Sequence, residues 1–328
     1  MRVATKIALH YRVRTMTHDF TPDFRRRSAY PEVAAAEDAI RAGDWAAFRA
    51  CYDAAPHWRG RQYVMGAANQ VAGSEGFLKT VIEADPEDLV ATTMYADRLI
   101  HLGWEIRTAQ PARYVSAEQF AGFHHKLREA EQILIWVCAR DPSFVPAWTH
   151  RVTIARGLGL GQSESRRRYD HVARHDPHNI SAQNSLLQEL CPKWHGSLEA
   201  MHAFAAERAA EAPPGAHNAA LVVDAHVEHW FSLPDDQAKK YFDDPAVRQE
   251  ITAAAERSVL HPDFDRGIGW VYPMSMFALG FSMLGEWTLA KRCFLELGQY
   301  ADEWGWHYLN GGAEAAFVRN RAWAMERG

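Results

Sequence analysis

The sequence predicts an all-α protein, an irregular α-solenoid built from antiparallel helix pairs. Apolar residues recur at helical spacing along most of the 328 residues, and residues that start or stop helices separate one stretch from the next. No turn dipeptide lies between runs of alternating β-branched residues, as a β-hairpin would require. A content of 48% hydrophobic residues with 12 tryptophans supports a sizeable core and excludes wholesale disorder.

The first predicted helix pair lies at residues 31–56. Pro31 stands at a first-turn position, and Gly43 marks the end of the first helix. Asp44 then caps the second helix, which ends before Pro56. These start and stop signals predict two short antiparallel helices joined by a tight turn.

We expect residues 1–27 to form a partly flexible N-terminal extension and residues 28–328 to form a single helical-repeat domain. A soft boundary within that domain, if there is one, is expected near residues 233–245. Two short basic clusters, at residues 25–27 and 166–168, are interpreted as solvated helix faces or flexible arms.

Three Asp-Pro pairs recur further along the chain, with prolines at Pro86, Pro142 and Pro177. Proline cannot continue the helix before it and pushes the preceding residue out of the α region. Each pair therefore predicts the end of one helix and the start of another. The last two prolines are 35 residues apart, whereas the first interval of 56 residues leaves room for a longer or additional helix.

Two segments of the chain resemble tetratricopeptide repeats. The segment ARHDPHNISAQ resembles the junction between two repeats, and residues 274–297 resemble a fuller unit. The matching positions of that unit are Phe277, Ala278 and Phe281 in the first helix, Gly285 in the turn, and Ala290 and Phe294 in the second helix. The resemblance implies stacked helix pairs with a concave face of the kind that binds peptides or helices.

The stretch CPKWHGSLEAMHAFA, residues 191–205, is similar to a Pro-Arg-Trp-Gly-Gly-Ser motif in a bacterial family of tetratricopeptide-like proteins of unknown function. Lys193 replaces the arginine of that motif, and His195 replaces its first glycine. By physical interpretation, Ser197 caps the next helix and Trp194 covers a corner between two helix pairs. The alternative is that Lys193, Trp194 and His195 line a ligand groove.

Histidines on two predicted helices raise the question of a metal site. His226 and His229 are three residues apart and share a helix face, while Glu199 and His202 form a single Glu-x-x-His pair. The sequence has no His-Glu-x-x-His motif and no second Glu-x-x-His pair, and histidine pairs on helices are more often packing groups than ligands. We therefore expect no metal and no other cofactor. The alternative is an enzyme, or a protein that binds a metal or small ligand, with an interior pocket around residues 194–230.

The segment YADEWGWHYLNGG, residues 300–312, is the main predicted binding surface. A helix of this composition exposes some of its aromatic side chains, which favours a binding or self-association patch. The candidate residues of this patch are Trp304, Trp306, Tyr308 and Asn310. The sequence thus predicts a non-catalytic interaction module that binds a protein or peptide, or a second copy of the chain, on a concave aromatic-lined face.

Charge and cysteine usage limit the partners and the location. A formal net charge of −5 argues against nucleic acid as a partner, because phosphate binding needs a surplus of lysine and arginine. No run of 18 apolar residues is present, so we expect no membrane span. The four cysteines are widely spaced and form no CxxC pair, which is typical of a reducing, cytoplasmic location.

Overall fold

The computed structural model describes residues 20–108, 110 and 112–328 of the chain. Over these residues the protein is all-α, as predicted, with seventeen α-helices, five short 3₁₀ turns and no β-strand. One isolated bridge pairs the backbone of Asp23 with that of Tyr300. No helix in this part of the chain is both long enough and apolar enough to cross a membrane.

The helices are numbered in chain order. The first ten are α1 (Arg26–Ala29), α2 (Pro31–Ala42), α3 (Trp45–Ala54), α4 (Trp58–Met65), α5 (Ser74–Ala84), α6 (Leu89–Arg107), α7 (Ala117–Arg140), α8 (Val145–Gly157), α9 (Gln162–His175) and α10 (Ile180–Leu190). The remaining seven are α11 (Leu198–Glu211), α12 (Ala220–Ser232), α13 (Asp235–Tyr241), α14 (Pro245–Arg257), α15 (Val271–Leu284), α16 (Trp287–Leu297) and α17 (Gly312–Arg327). The 3₁₀ turns are Gly66–Gln70, Ala112–Tyr114, Pro192–Trp194, His217–Ala219 and Trp306–Tyr308.

Local signals place many helix ends where the sequence predicts them. Pro31 is the first residue of α2, and Gly43 follows the helix with φ 67°, a conformation that glycine adopts without strain. The Asp44 side chain accepts a hydrogen bond from the backbone N–H of Ala47 and so caps α3. The aspartate of each Asp-Pro pair follows the last residue of α5, α7 or α9. The 24-residue α7 is the longer helix for which the sequence leaves room.

The described chain divides into two compact units. The N-terminal unit comprises residues 30–189, and the C-terminal unit comprises residues 20–29 and 190–328. The division falls between Glu189 and Leu190, whereas the interval 233–245 lies inside the C-terminal unit.

In the N-terminal unit, helices that follow one another in the chain pack together. Helix α2 packs on α3, α6 on α7, and α8 on α9. Phe48, Phe123 and Leu127 are fully buried in this core.

A buried ion network corrects one interpretation of the basic cluster at residues 166–168. Arg168 is buried and donates to both carboxylate oxygens of Glu131, at 3.0 and 2.9 Å. Arg151, also buried, donates to the same carboxylate at 2.9 Å. Arg168 is therefore a core residue rather than part of a solvated face, because a buried carboxylate requires cationic partners.

In the C-terminal unit, α12 is the central helix. It packs against α11, α14 and α15, and nearly all of its residues are buried. Helix α15 packs on α16, which packs on α17. Because α12 is enclosed by three helices, polar side chains on it must find partners inside the unit.

Part of the predicted N-terminal extension belongs to the C-terminal unit. The backbone of Asp23 donates to the carbonyl of Gln299 at 2.7 Å and accepts from Ala301 at 3.0 Å. Phe20 and Phe24 contact the ring of the buried Phe317. Residues 20–24 are thus part of the folded C-terminal unit, and residues 1–19 of the predicted extension lie outside the described residues.

Candidate metal centre

Four helices of the C-terminal unit bring three imidazoles, a phenol and a carboxylate together. His202 lies on α11, and His226 and His229 lie on α12. The three-residue spacing of His226 and His229 places both rings on one face of α12, as the sequence predicts. Tyr241 is the last residue of α13, and Glu250 lies on α14.

Hydrogen bonds join the five side chains into one cluster. His202 Nε2 lies 3.0 Å from His229 Nδ1, and His226 Nε2 lies 3.0 Å from Glu250 Oε2. The hydroxyl of Tyr241 joins these two pairs, because it lies 2.8 Å from His226 Nδ1 and 2.9 Å from His229 Nδ1. His226 is 2% exposed, and both of its ring nitrogens have a partner.

His202, His226 and Glu250 form a set of converging metal ligands. One ligand atom from each residue lies within 4.8 Å of those of the other two. Tetrahedral zinc, with bonds of about 2.0–2.2 Å, needs ligand atoms about 3.4 Å apart, so the widest pair must close by more than about 1 Å. Of the three side chains, Glu250 has the most room to move, since it is 58% exposed.

Burial keeps the imidazoles in the form that binds metals. Removal from water, and next the neighbouring imidazoles, lower the pKa of His202 and of His226 to about 4. Burial also lowers the pKa of His229. The Tyr241 hydroxyl stays protonated, because burial and the carboxylates of Glu250 and Asp244 raise its pKa. At neutral pH both ligand imidazoles therefore carry a lone pair.

The hydrogen-bond partners define one consistent arrangement of protons. A carboxylate only accepts, so the ring proton of His226 lies on Nε2 and points to Glu250. The bare Nδ1 of His226 then accepts from the Tyr241 hydroxyl, whose oxygen in turn accepts from Nδ1–H of His229. His202 Nε2 faces the same Nδ1–H as an acceptor. The chain of bonds is satisfied with three neutral imidazoles.

The structure separates the predicted metal candidates. His202 and His226 belong to the ligand set, and His229 lies beside it. Glu199 is exposed and is not one of the converging ligands. Sequence reasoning missed Tyr241 and Glu250, which lie on later helices and belong to no local motif.

Two predicted binding segments meet at a second polar cluster in the same unit. Lys193 Nζ lies 2.7 Å from Glu228 Oε2 and 3.1 Å from the hydroxyl of Tyr308. Tyr308 donates to Glu228 Oε1 at 2.6 Å, and the indole of Trp304 donates to Asp224 at 2.9 Å. The turn at residues 192–194 and the 300–312 segment are therefore joined through buried carboxylates of α12.

The other predicted binding residues differ in exposure. Trp306 is fully buried, and its indole donates to Ser275 at 3.0 Å. Its prediction as a surface residue is wrong, because its ring packs against Phe294 and Phe317 in the core. Trp194 is half-buried, while His195 and Asn310 are exposed.

No protein-family model and no curated protein matches the chain. The tetratricopeptide resemblance of residues 274–297 stays a prediction.

Proposed function

We propose that the C-terminal unit binds a divalent transition-metal ion through His202, His226 and Glu250. The observation that carries this proposal is the convergence of the three ligand atoms, from α11, α12 and α14, to within 4.8 Å of one another. A buried imidazole needs hydrogen bonds or a metal ion at its ring nitrogens. This role develops the alternative that the sequence analysis keeps open around residues 194–230.

The ligand types favour zinc or a neighbouring first-row ion. Two imidazoles and one carboxylate suit Zn²⁺, Fe²⁺ or Co²⁺ better than Mg²⁺ or Ca²⁺, which prefer oxygen ligands throughout. The second ring nitrogen of His226 is hydrogen-bonded to the Tyr241 hydroxyl. Such outer partners orient ligand histidines in metalloproteins. Three protein ligands are also the number found at zinc sites that bind a water molecule or a substrate.

Zinc binding to protein purified without a histidine tag tests the proposal. We expect one equivalent of Zn²⁺ per chain by isothermal titration with a competing chelator. His226→Gln and Glu250→Gln are each expected to weaken affinity by about 100-fold or more, since loss of even an outer-shell partner costs about 10–100-fold.

His175→Gln is the matched control, because His175 is exposed and lies on α9 of the other unit. Its affinity for Zn²⁺ is expected to equal that of the wild type. Stoichiometric binding that persists unchanged in His226→Gln would place the ion elsewhere and refute the proposal.

We also propose that the helices pair in a tetratricopeptide-like manner. Helices α15 and α16 support this, since they pack together across the turn at Gly285, which has φ 72°. The positions of Phe277, Phe281 and Phe294 agree, because all three are fully buried. We extend this proposal to the whole irregular solenoid of antiparallel helix pairs that the sequence predicts.

The protein- or peptide-binding role predicted from sequence stays a prediction, as does the cytoplasmic location. The exposed Phe231 contacts Tyr308 with ring centroids 4.4 Å apart, and this aromatic pair supports a contact surface better than the buried Trp306. Each of the four cysteines carries a thiol rather than a disulfide, which supports a reducing compartment.

A further inference from the structure

We infer that Tyr241 holds His229 outside the coordination sphere and thereby reserves one position on the ion for an exchangeable anionic ligand. This inference rests on the proposed metal site. It assigns Tyr241 a positioning role, and it assigns the site a ligand class: small molecules that offer an oxyanion, such as a carboxylate or a hydroxamate.

His229 lies close enough to His202 to serve as a fourth ligand of the same ion. Its Nδ1 lies 3.0 Å from Nε2 of His202, which is close to the distance between two ligands of one tetrahedral ion. A lone pair on that Nδ1 would complete a set of four protein ligands. Four protein ligands would close the site, as in structural zinc centres.

When His226 binds the ion, the Tyr241 hydroxyl donates a hydrogen bond to the lone pair on Nδ1 of His229. If His226 binds through Nε2, its proton resides on Nδ1, which lies 2.8 Å from the Tyr241 oxygen and donates to it. The hydroxyl proton of Tyr241 is then directed to its other neighbour, Nδ1 of His229, at 2.9 Å. His229 consequently carries its own proton on Nε2, and all the groups remain neutral.

Exposure and charge define what enters the reserved position. Glu250 is 58% exposed on its side of the site, so a small molecule reaches the ion from solvent. Two neutral imidazoles and one carboxylate leave a divalent ion with a net positive charge, which favours an anion as the fourth ligand.

Cobalt spectroscopy tests the inference in the full-length protein. Co²⁺ takes the place of Zn²⁺ and reports its coordination through visible absorption bands. We expect acetohydroxamate to bind to the Co²⁺-loaded wild type and to shift these bands in a saturable manner.

Tyr241→Phe removes only the hydroxyl and frees Nδ1 of His229 to bind the ion. The Co²⁺ spectrum of this variant is expected to be that of a closed tetrahedral site, without a response to acetohydroxamate. Adding His229→Gln in the same chain is expected to restore the response. Metal affinity alone does not test the role of Tyr241, because Tyr241→Phe both gains a ligand and loses an outer-shell partner of His226.

Tyr114→Phe serves as the control, since Tyr114 is 51% exposed in the other unit. Its spectrum and its response to acetohydroxamate should match the wild type. Failure of every variant and of the wild type to take up Co²⁺ would refute the proposed metal site. Uptake by the wild type without a response to acetohydroxamate would refute only the reserved position. A Tyr241→Phe protein that responds like the wild type would refute the role of Tyr241.

Discussion

At the scale of single residues, backbone conformation and space limit which residue types fit at two positions of the turn after α10. His195 has φ 70°, a left-handed conformation that costs a non-glycine residue about 1–2 kcal/mol. Gly196, by contrast, has no room for a side chain, because a Cβ there would overlap the carbonyl group of Leu190.

Replacing these two neighbours is expected to have opposite effects. His195→Gly relieves the backbone strain but makes the unfolded chain more flexible, so the free energy of unfolding should rise by at most about 1 kcal/mol. Gly196→Ala should lower it by about 1–3 kcal/mol through steric overlap. Urea unfolding of both variants measures the difference, and equal effects of the two substitutions would contradict this account.

At the scale of secondary-structure elements, α12 carries polar groups on two sides. Asp224 and Glu228 are four residues apart and bind Trp304, Tyr308 and Lys193. His226 and His229 face the metal-ligand cluster. A central helix this polar is stable only because each side finds partners on neighbouring elements.

Close approach between α12 and α15 depends on Gly280. A Cβ at this position would lie 2.9 Å from Cγ1 of Val223, closer than such contacts normally are. Gly280→Ala is therefore expected to destabilise the protein by about 1–3 kcal/mol, although alanine is the better helix former. In a Val223→Ala background the same change should instead stabilise by about 1 kcal/mol, because the space is then available.

A double-mutant cycle with urea unfolding measures this change of sign. The four proteins are the wild type, Gly280→Ala, Val223→Ala and the double variant. Additive effects of the two substitutions would show that α12 and α15 do not pack tightly at this point.

Helix α9 has an ion-paired carboxylate that makes stability depend on pH. Hydrogen bonds from Arg167, and next from Arg168, lower the pKa of Glu164 from 4.5 to about 2 against an opposing effect of burial. A carboxyl group with a lowered pKa in the folded state stabilises above its unfolded pKa, and this contribution is lost as pH falls from about 4.5 to 2. Glu164→Gln should thus destabilise the protein at pH 7 and have a much smaller effect near pH 2.5. Unfolding by urea at both pH values tests this, and an equal loss at the two would contradict it.

At the scale of the whole molecule, the chain contains two compact units with separate cores. Residues 30–189 have enough buried apolar residues to fold without the rest of the chain, since a unit of about 150 residues buries roughly 70% of its surface. We expect a fragment of residues 30–190, which keeps α10 complete, to be helical by circular dichroism and to unfold in one cooperative transition. A broad, non-cooperative transition would instead support the single domain predicted from sequence.

The helical class and many helix ends follow from local patterns in the sequence. Residues such as Gly43, Asp44 and Ser197 act within three or four positions of themselves, so a local pattern is enough to place the helix boundaries. For the same reason, the shared face of His226 and His229 follows from their spacing alone.

Which side chains from distant segments meet is known only from the tertiary structure. Tyr241 and Glu250 join the histidines because α13 and α14 bring them to α12, and no short-range pattern encodes that approach. Trp306 is buried for a similar reason: the core around Phe317 includes Phe20 and Phe24, nearly 300 residues away in the chain. Contacts between distant segments depend on how whole helices pack, whereas helix ends depend on hydrogen bonds within a single turn.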